Sequence, residues 1–255
     1  MKIKNKKPGR ECLYGIHPIN EAFAARKRKI AHIYLKEQSN NPRFSSIIAS
    51  AKQHQIPITY VSSDYLKQQA GHNDHQQIIA HVSPLPLTPI HSMITEHAFI
   101  IICDQIMDPH NMGAIMRTAL ACGVSGLITT TDHAAPLSAT VSKISSGAME
   151  HLPIAQVPNL VRCMKNLKQN GIWVYGLDQE ARVAVYDSHL TQGVALVIGG
   201  EHKGIRRLVK ETCDQVLHIP QFGPLDSLNA SVAAGVAMYE VFRQRRFIGA
   251  IDDKK

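Results

Sequence analysis

The chain has 255 residues, 44% hydrophobic and 19% charged. That is enough apolar material for a packed core and two modest domains, and it excludes a disordered chain. Its longest apolar runs, such as Ala98 to Cys103, fall far short of the roughly 20 residues a membrane-spanning helix needs, so no membrane partner is expected. Met1 to Arg10 is basic with no apolar stretch behind it, so it does not read as a secretory signal. The five cysteines (Cys12, Cys103, Cys122, Cys163, Cys213) are odd in number and include no Cys-x-x-Cys pair, which speaks against a disulfide framework or a zinc ribbon. The cytoplasm is the expected compartment.

The formal net charge of +8 is unevenly placed. Residues 1–86 hold 13 Lys and Arg against 5 Asp and Glu, whereas residues 87–255 hold 15 of each, so one third of the chain carries the whole excess. A localised positive field attracts a phosphate backbone, which makes nucleic acid the expected partner. A solubilising surface or an anionic-lipid contact is the blander alternative, and the lipid version lacks an amphipathic anchor helix.

In chain order, a basic tail precedes a helix from Pro18 to Arg28 that ends in Arg26-Lys27-Arg28-Lys29. Strand Ile30 to Leu35, helix Pro42 to His54, strand Ile56 to Val61, short helix Asp64 to Gln69 and strand Gln77 to Val82 follow, which together make a small α/β unit over residues 1–86. Ser83 to Pro89 contains three prolines and reads as extended, so the linker is placed at residues 87–96. Across residues 97–255, apolar runs at Phe99 to Cys103, Gly126 to Thr130, Ile154 to Val157, Ile172 to Leu177, Val194 to Ile198 and Val216 to Ile219 alternate with helical patterns. Runs apolar on both faces are what a helix-covered parallel sheet demands. The last helix, about Asn229 to Arg246, is rich in small residues (Ala230, Ala233, Ala234, Gly235, Ala237), which permits close approach of another helix.

No G-x-G-x-x-G follows the first of these strands and no G-x-x-x-x-G-K-[ST] occurs anywhere, so neither a dinucleotide site nor nucleotide hydrolysis is supported. Instead three polar segments follow three strands: Asp108 to Arg117, Gly199-Gly200-Glu201-His202-Lys203-Gly204, and Ile219 to Ser231. Ligands of open α/β sheets gather at the carboxyl ends of strands, so these loops are expected to share one crevice.

The sets Asn111-Met112-Gly113-Ala114-Ile115-Met116-Arg117, Gly199 to Gly204, and Ile219-Pro220 through Ser227-Leu228-Asn229-Ala230-Ser231-Val232-Ala233 resemble, in order and spacing, the three motifs of the SpoU (TrmH-type) RNA 2'-O-ribose methyltransferases. The match runs from about residue 97 to 246. Tyr14-Gly15-Ile16-His17-Pro18 and His75-Gln76-Gln77-Ile78-Ile79-Ala80 look like the L30e-like substrate-binding domain found in the RlmB-type branch, whose members act on ribosomal RNA. The resemblance implies a knotted (trefoil) α/β methyltransferase domain with a parallel sheet, preceded by a small L30e-like α/β domain. It further implies a homodimer, S-adenosyl-L-methionine as cofactor and 23S rRNA guanosine as substrate. The chain departs from the usual motifs at His202, Gln221 and Gln77, and His202 adds a bulky side chain in a turn.

By the same resemblance the donor sits near Gly199, Ile219 and Leu228, and Arg117, Asn111, Glu201, Ser227 and Asn229 form the catalytic set. Methyl transfer from a sulfonium needs alignment of donor and acceptor rather than a metal, so no metal is expected. A guanidinium with a pKa above about 12 is a poor base, so Arg117 is read as positioning the acceptor's phosphate and ribose oxygen, with possible proton transfer. Asn111 is either a helix N-cap, worth about 1 kcal/mol, or an amide that fixes Arg117 or the ribose. Glu201 is a solvated loop carboxylate or orients Arg117 or Asn229. Ser227 and Asn229 either cap the last helix or contact donor or ribose. His72-Asn73-Asp74-His75 lacks further ligands for zinc, and the cysteines read as inert thiols. The competing readings are a tRNA 2'-O-methyltransferase, a non-catalytic RNA-binding ribosome-assembly protein, and a base methyltransferase of the wider knotted superfamily.

Overall fold

A computed structural model describes residues 10–39, 41–201, 203–223 and 227–246, with the Arg246 side chain left aside. His202 and the segment 224–226 lie outside the described residues, so the departure from the usual motif at His202 does too. The chain divides into two compact units, Met1–Pro86 with Leu137–His151, and Leu87–Pro136 with Leu152–Lys255.

In the first unit, β1 (Glu11–Tyr14), α1 (Ile16–Ala25), β2 (Ile30–Lys36), α2 (Phe44–Gln53), β3 (Ile58–Val61), α3 (Ser63–Ala70) and β4 (Ile78–Val82) build a four-stranded sheet of order β1-β4-β2-β3. β4 runs antiparallel to both β1 and β2, and β2 runs parallel to β3. Alternation sends Leu13, Ile33, Leu35, Ile78, Ala80 and Val82 to one face, where Ile16, Ile19 and Ala22 of α1 and Phe44, Ile47 and Ala51 of α2 complete the core. Leu66 of α3 packs with Tyr14 and Ile79 on the opposite face.

The helix expected to reach Arg28 stops at Ala25, because Arg26 turns left-handed at φ 54° and its N–H closes on Ala22 O. Arg28 is not part of a solvated basic cluster. It is buried, with Nη1 donating to Glu11 Oε2 at 2.6 Å and Nε 2.8 Å from Glu150 Oε2. The latter approach is off the hydrogen-bonding line, so that contact is Coulombic.

The second unit starts with β5 (Phe99–Asp104), α4 (Pro109–Ala121) and β6 (Gly126–Thr130). The following α5 (Ala139–Ile144) and α6 (Ala148–His151), which the sequence leaves inside the 97–255 span, group with the first unit. The physical ties are Glu150 to Arg28, Thr140 Oγ1 to Tyr14 Oη at 2.8 Å, and His151 to Glu21 at 2.7 Å. The chain resumes the second unit with β7 (Ile154–Val157), α7 (Leu160–Gln169), β8 (Trp173–Leu177), β9 (Val183–Ala184), β10 (Val194–Gly199), α8 (Arg207–Thr212), β11 (Gln215–His218) and α9 (Ala230–Arg246).

These strands form one parallel sheet of order β7-β6-β5-β10-β8-β11-β9, as the doubly apolar runs predict. One face packs Ile100, Ile102, Ile128, Val174 and Val197 against Leu160, Met164 and Leu167 of α7. α9 meets α4, the close approach that its small residues permit: a Cβ on Gly235 would touch Thr118 Cγ2 at 3.9 Å. The far end of α9 is pinned by Arg245, whose guanidinium donates to Leu190 O at 3.2 Å and His97 O at 2.9 Å. Among the described residues, no helix is long and apolar enough to cross a membrane.

Candidate functional site

Strand register brings the loops together. Gly199 of β10 stands opposite Asp104 of β5, Val197 opposite Gly176 of β8, and Leu177 opposite Leu217 of β11, so these strands end level with one another. The loops that follow β8, β10 and β11 line a cavity of about 420 Å³, whereas the expected third segment, Asp108 to Arg117, contributes no lining residue and reaches it only through the Asn111 contact with Glu201. Leu177, Ile198, Ile219 and Leu228 give it apolar walls, while Asp178, Glu180, Glu201 and Ser227 supply polar ones. The volume falls in the range of small-molecule sites.

Glycine is required on the floor. A Cβ on Gly199 would run into the backbone of Gly204 and Ile205, and one on Gly200 would stand 2.7 Å from Gln105 O. The turn closes on itself, with Gly204 N donating to Gly200 O at 2.9 Å and Gly204 at φ 58°. Asp104, fully buried at the end of β5, anchors this turn from the other side. Its two carboxylate oxygens accept from Arg206 N at 2.9 Å and Arg206 Nε at 2.7 Å. Asp104 was not among the expected site residues. The available signal was a lone acid closing an otherwise apolar strand.

At the cavity rim, three residues from distant parts of the chain share one hydrogen-bond network. Glu201 Oε1 accepts from Asn111 Nδ2 at 2.8 Å and from Asn229 Nδ2 at 2.5 Å, and Asn229 Nδ2 also lies 3.0 Å from Asn111 Oδ1. Asn111 is buried and is not the N-cap of α4. Asp108 takes that place, accepting from His110 N at 3.0 Å with Pro109 behind it. The Asn111 amide is therefore free to join the network. Asn229 takes the expected capping place, its Oδ1 accepting from Ser231 N at 2.9 Å and Val232 N at 3.3 Å at the start of α9, while its Nδ2 faces Glu201.

Gly199, Ile219, Leu228 and Ser227 line the cavity, and Ser227 makes no hydrogen bond among the described residues. Arg117 stands apart. It is exposed on α4, about 9 Å along the helix axis from Asn111, and forms no hydrogen bond or ion pair among the described residues. Glu201 thus orients the two asparagines and not Arg117. Asp178 and Glu180, which follow the recognised strand of β8, are an acidic wall that the three-loop reading omits. Lys210 Nζ sits 2.6 Å from Asp178, leaving Glu180 the more open carboxylate.

The four cysteines of the second unit do not compete for the chemistry. Burial pushes Cys103 and Cys213 up to about 12 and Cys122 and Cys163 up to about 11, so they remain protonated. Among the described residues, no group of three or more His, Cys, Asp or Glu is placed to hold a metal ion.

Comparison with known proteins adds a family. Residues 98–239 match the model described as SpoU rRNA Methylase family, and residues 12–88 match the one described as RNA 2'-O ribose methyltransferase substrate binding. The 23S rRNA (guanosine-2'-O-)-methyltransferase RlmB of Vibrio cholerae is 37% identical over 240 residues, covering 92% of this chain and 97% of that one. The protein of the same name from Shewanella oneidensis is 36% identical over 241 residues, covering 92% and 98%. The crystal structure of the SpoU methyltransferase AviRb from Streptomyces viridochromogenes, in complex with AdoMet, shares the fold. It has a TM-score of 0.82 and 24% identity, and the match covers 96% of this chain and 93% of that one.

Proposed function

Because the chain belongs to the SpoU rRNA methylase family, we propose that it transfers a methyl group from S-adenosyl-L-methionine to the ribose 2'-hydroxyl of a guanosine in 23S rRNA. The observation that carries this reading is the convergence of Asn111, Glu201 and Asn229 on the rim of a cavity that contains Gly199, Ile219 and Leu228.

The donor fits that cavity. Its adenine suits the apolar walls of Leu177, Ile198, Ile219 and Leu228, and the glycine turn lets backbone N–H and C=O groups approach closely. Asp178 and Glu180 offer acceptors and negative charge to a cationic ligand. When bound, S-adenosylmethionine supplies an electrophilic methyl on a sulfonium. The chain's own part is alignment, which is where most of the rate gain of an in-line displacement lies. Glu201 fixes the two asparagine amides, and these hold the acceptor ribose beside Ser227. Arg117, unpaired among the described residues, grips the acceptor's phosphate and stabilises negative charge developing on the 2'-oxygen through its planar fork.

The finer architecture follows the same family. The first unit is L30e-like and grips RNA, the carboxy-terminal segment of the second is threaded into a trefoil knot, and the enzyme works as a cytoplasmic homodimer. Leu120 of α4 and Val232 and Tyr239 of α9, each more than a third exposed on helices that pack together, supply the apolar face such a dimer would cover. Methyl transfer from labelled donor to unmodified ribosomal RNA, followed by alkaline hydrolysis, tests the reading. A single alkali-resistant position that disappears with Arg117→Ala is expected. Transfer onto tRNA alone would move the substrate, a methylated base would move the reaction, and no transfer to any RNA would refute catalysis.

A further inference from the structure

The first unit's sheet has a second face that its helices only partly cover. α3 lies over Tyr14, Ile79 and Val61, and the other end of that face carries rings. His32 and Tyr34 on β2, His81 on β4, Cys12 on β1 and Thr59 on β3 share it by alternation and register: His32 stands opposite His81, His81 opposite Cys12, and Tyr34 opposite Thr59. The rings form one continuous group. His32 stacks on Tyr34 with centroids 4.4 Å apart and planes at 28°. Tyr34 also meets His81 edge-on at 5.0 Å and Tyr65 of α3 at 5.4 Å. All four rings are half-buried, so each keeps part of its surface open to solvent, and His32 Nε2 is fixed 2.8 Å from Thr59 Oγ1.

We infer that this ring group is a stacking platform for unpaired RNA bases. The inference rests on the RNA-methylating function proposed above and deepens it by naming the surface that holds the substrate. Two features select this occupant. The first is charge: exposed Arg10 enters β1 beside the rings, Lys2, Lys4, Lys6 and Lys7 precede it in the chain, and residues 1–86 carry the whole positive excess, so a phosphate backbone is drawn to this unit. The second is the state of the rings. Burial first, then the neighbouring charges, hold His32 and His81 below the ordinary histidine range, with Arg10 acting on both and His32 also on His81. At neutral pH the imidazoles are therefore uncharged π-surfaces rather than phosphate ligands. Neutral rings on a sheet beside cationic side chains suit nucleobases whose faces are free, which a duplex does not offer.

The test uses the full chain and a short unpaired RNA carrying 2-aminopurine, whose fluorescence falls on stacking. Wild type and Tyr34→Phe should quench it. His32→Ala and Tyr34→Leu should lose the quenching and bind this RNA roughly 5- to 150-fold more weakly, the range for one lost base–aromatic stack. Affinity for the same RNA without bases should be equal in all four proteins, and KM for ribosomal RNA should rise more than kcat falls. His32→Ala, at a half-buried site, keeps the test valid should Tyr34→Leu fail to fold. Quenching that survives both substitutions overturns the platform, as does equal weakening on the abasic RNA. Quenching that appears only after residues 1–9 are deleted would make the chain's own amino terminus the occupant, and a change in particle mass would make it a second copy. Either result refutes the inference. Should wild type methylate rRNA while KM is unmoved in the variants, the inference fails and the methyltransferase reading stands. Should wild type methylate no RNA, that reading fails and quenching alone decides the platform.

Discussion

The anchor between Asp104 and Arg206 should be energetically lopsided, because its two ends are solvated differently. The Asp104 side chain is fully buried and the Arg206 side chain is 42% exposed. Removing the guanidinium with Arg206→Ala strands one oxygen of a buried carboxylate, with only the backbone N–H of residue 206 left as partner, at a cost of about 3 kcal/mol. Asp104→Asn instead frees an arginine that reaches water, and sets an amide N–H against one of two donors. A hydrogen bond to a charged group contributes about 1.5–3 kcal/mol, and partial exposure argues for the lower half, so the cost is about 2 kcal/mol. In the double variant the buried charge is gone, so adding Asp104→Asn to Arg206→Ala should cost nothing further or restore stability, giving a coupling energy of about 2 kcal/mol. Trp173, the single tryptophan, lies on β8 beside β10, and its fluorescence during urea unfolding reports this unit. Donor affinity by calorimetry should fall about tenfold in both single variants as the glycine turn loosens. Additivity of the two substitutions within about 0.5 kcal/mol would refute the reasoning, since independent sites behave that way.

Arg117→Lys should leave the unfolding midpoint unchanged, because the side chain is exposed and unpaired among the described residues. It should lower kcat for methyl transfer by about 100-fold or more, since an ammonium cannot reproduce the fork; near-normal turnover would remove Arg117 from the reaction. Gly199→Ala should abolish measurable donor binding, because the added Cβ meets backbone that cannot rotate away; wild-type affinity would show the turn is not the floor of the donor site. Glu240 is held below its usual 4.5 by hydrogen bonds from Arg243 and Gln244. Its contribution to stability is therefore present above that value and lost as pH falls through the lowered one. Glu240→Gln should flatten the acid limb of the second unit's stability curve, measured by urea unfolding near pH 6 and near pH 3; an unchanged limb would assign the acid sensitivity elsewhere.

The parallel sheet was legible because its strands are apolar on both faces and so distinct from the helices between them. Each of the six expected runs of the second unit lies within a residue or two of its observed strand. β1 was hidden by its brevity and by the basic tail before it, and β9 is only two residues long. The allegiance of α5 and α6 could not be read locally at all. It rests on Arg28, which looked like one more surface cation in a run of four until Glu150, over a hundred residues away, took it inside. A buried ion pair leaves no periodic trace in the sequence; each partner alone reads as ordinary surface charge.

The site was legible residue by residue but not in its wiring. The family resemblance brings Asn111, Glu201 and Asn229 forward together, yet which of them touch depends on level strand ends, a property of register that no single segment contains. The wiring separates two roles that the sequence leaves mixed. Glu201 spends one oxygen on both asparagine amides, so these three hold one another in place before any substrate arrives, and the arrangement costs nothing at the moment of reaction. Arg117 has no such partner among the described residues. A guanidinium already paired to Glu201 would have to surrender that pair to take a phosphate, and the exchange would cancel much of the gain. In the proposed mechanism an unpaired Arg117 lets the arriving RNA complete the site, so that the substrate's own charge supplies the last alignment that methyl transfer needs.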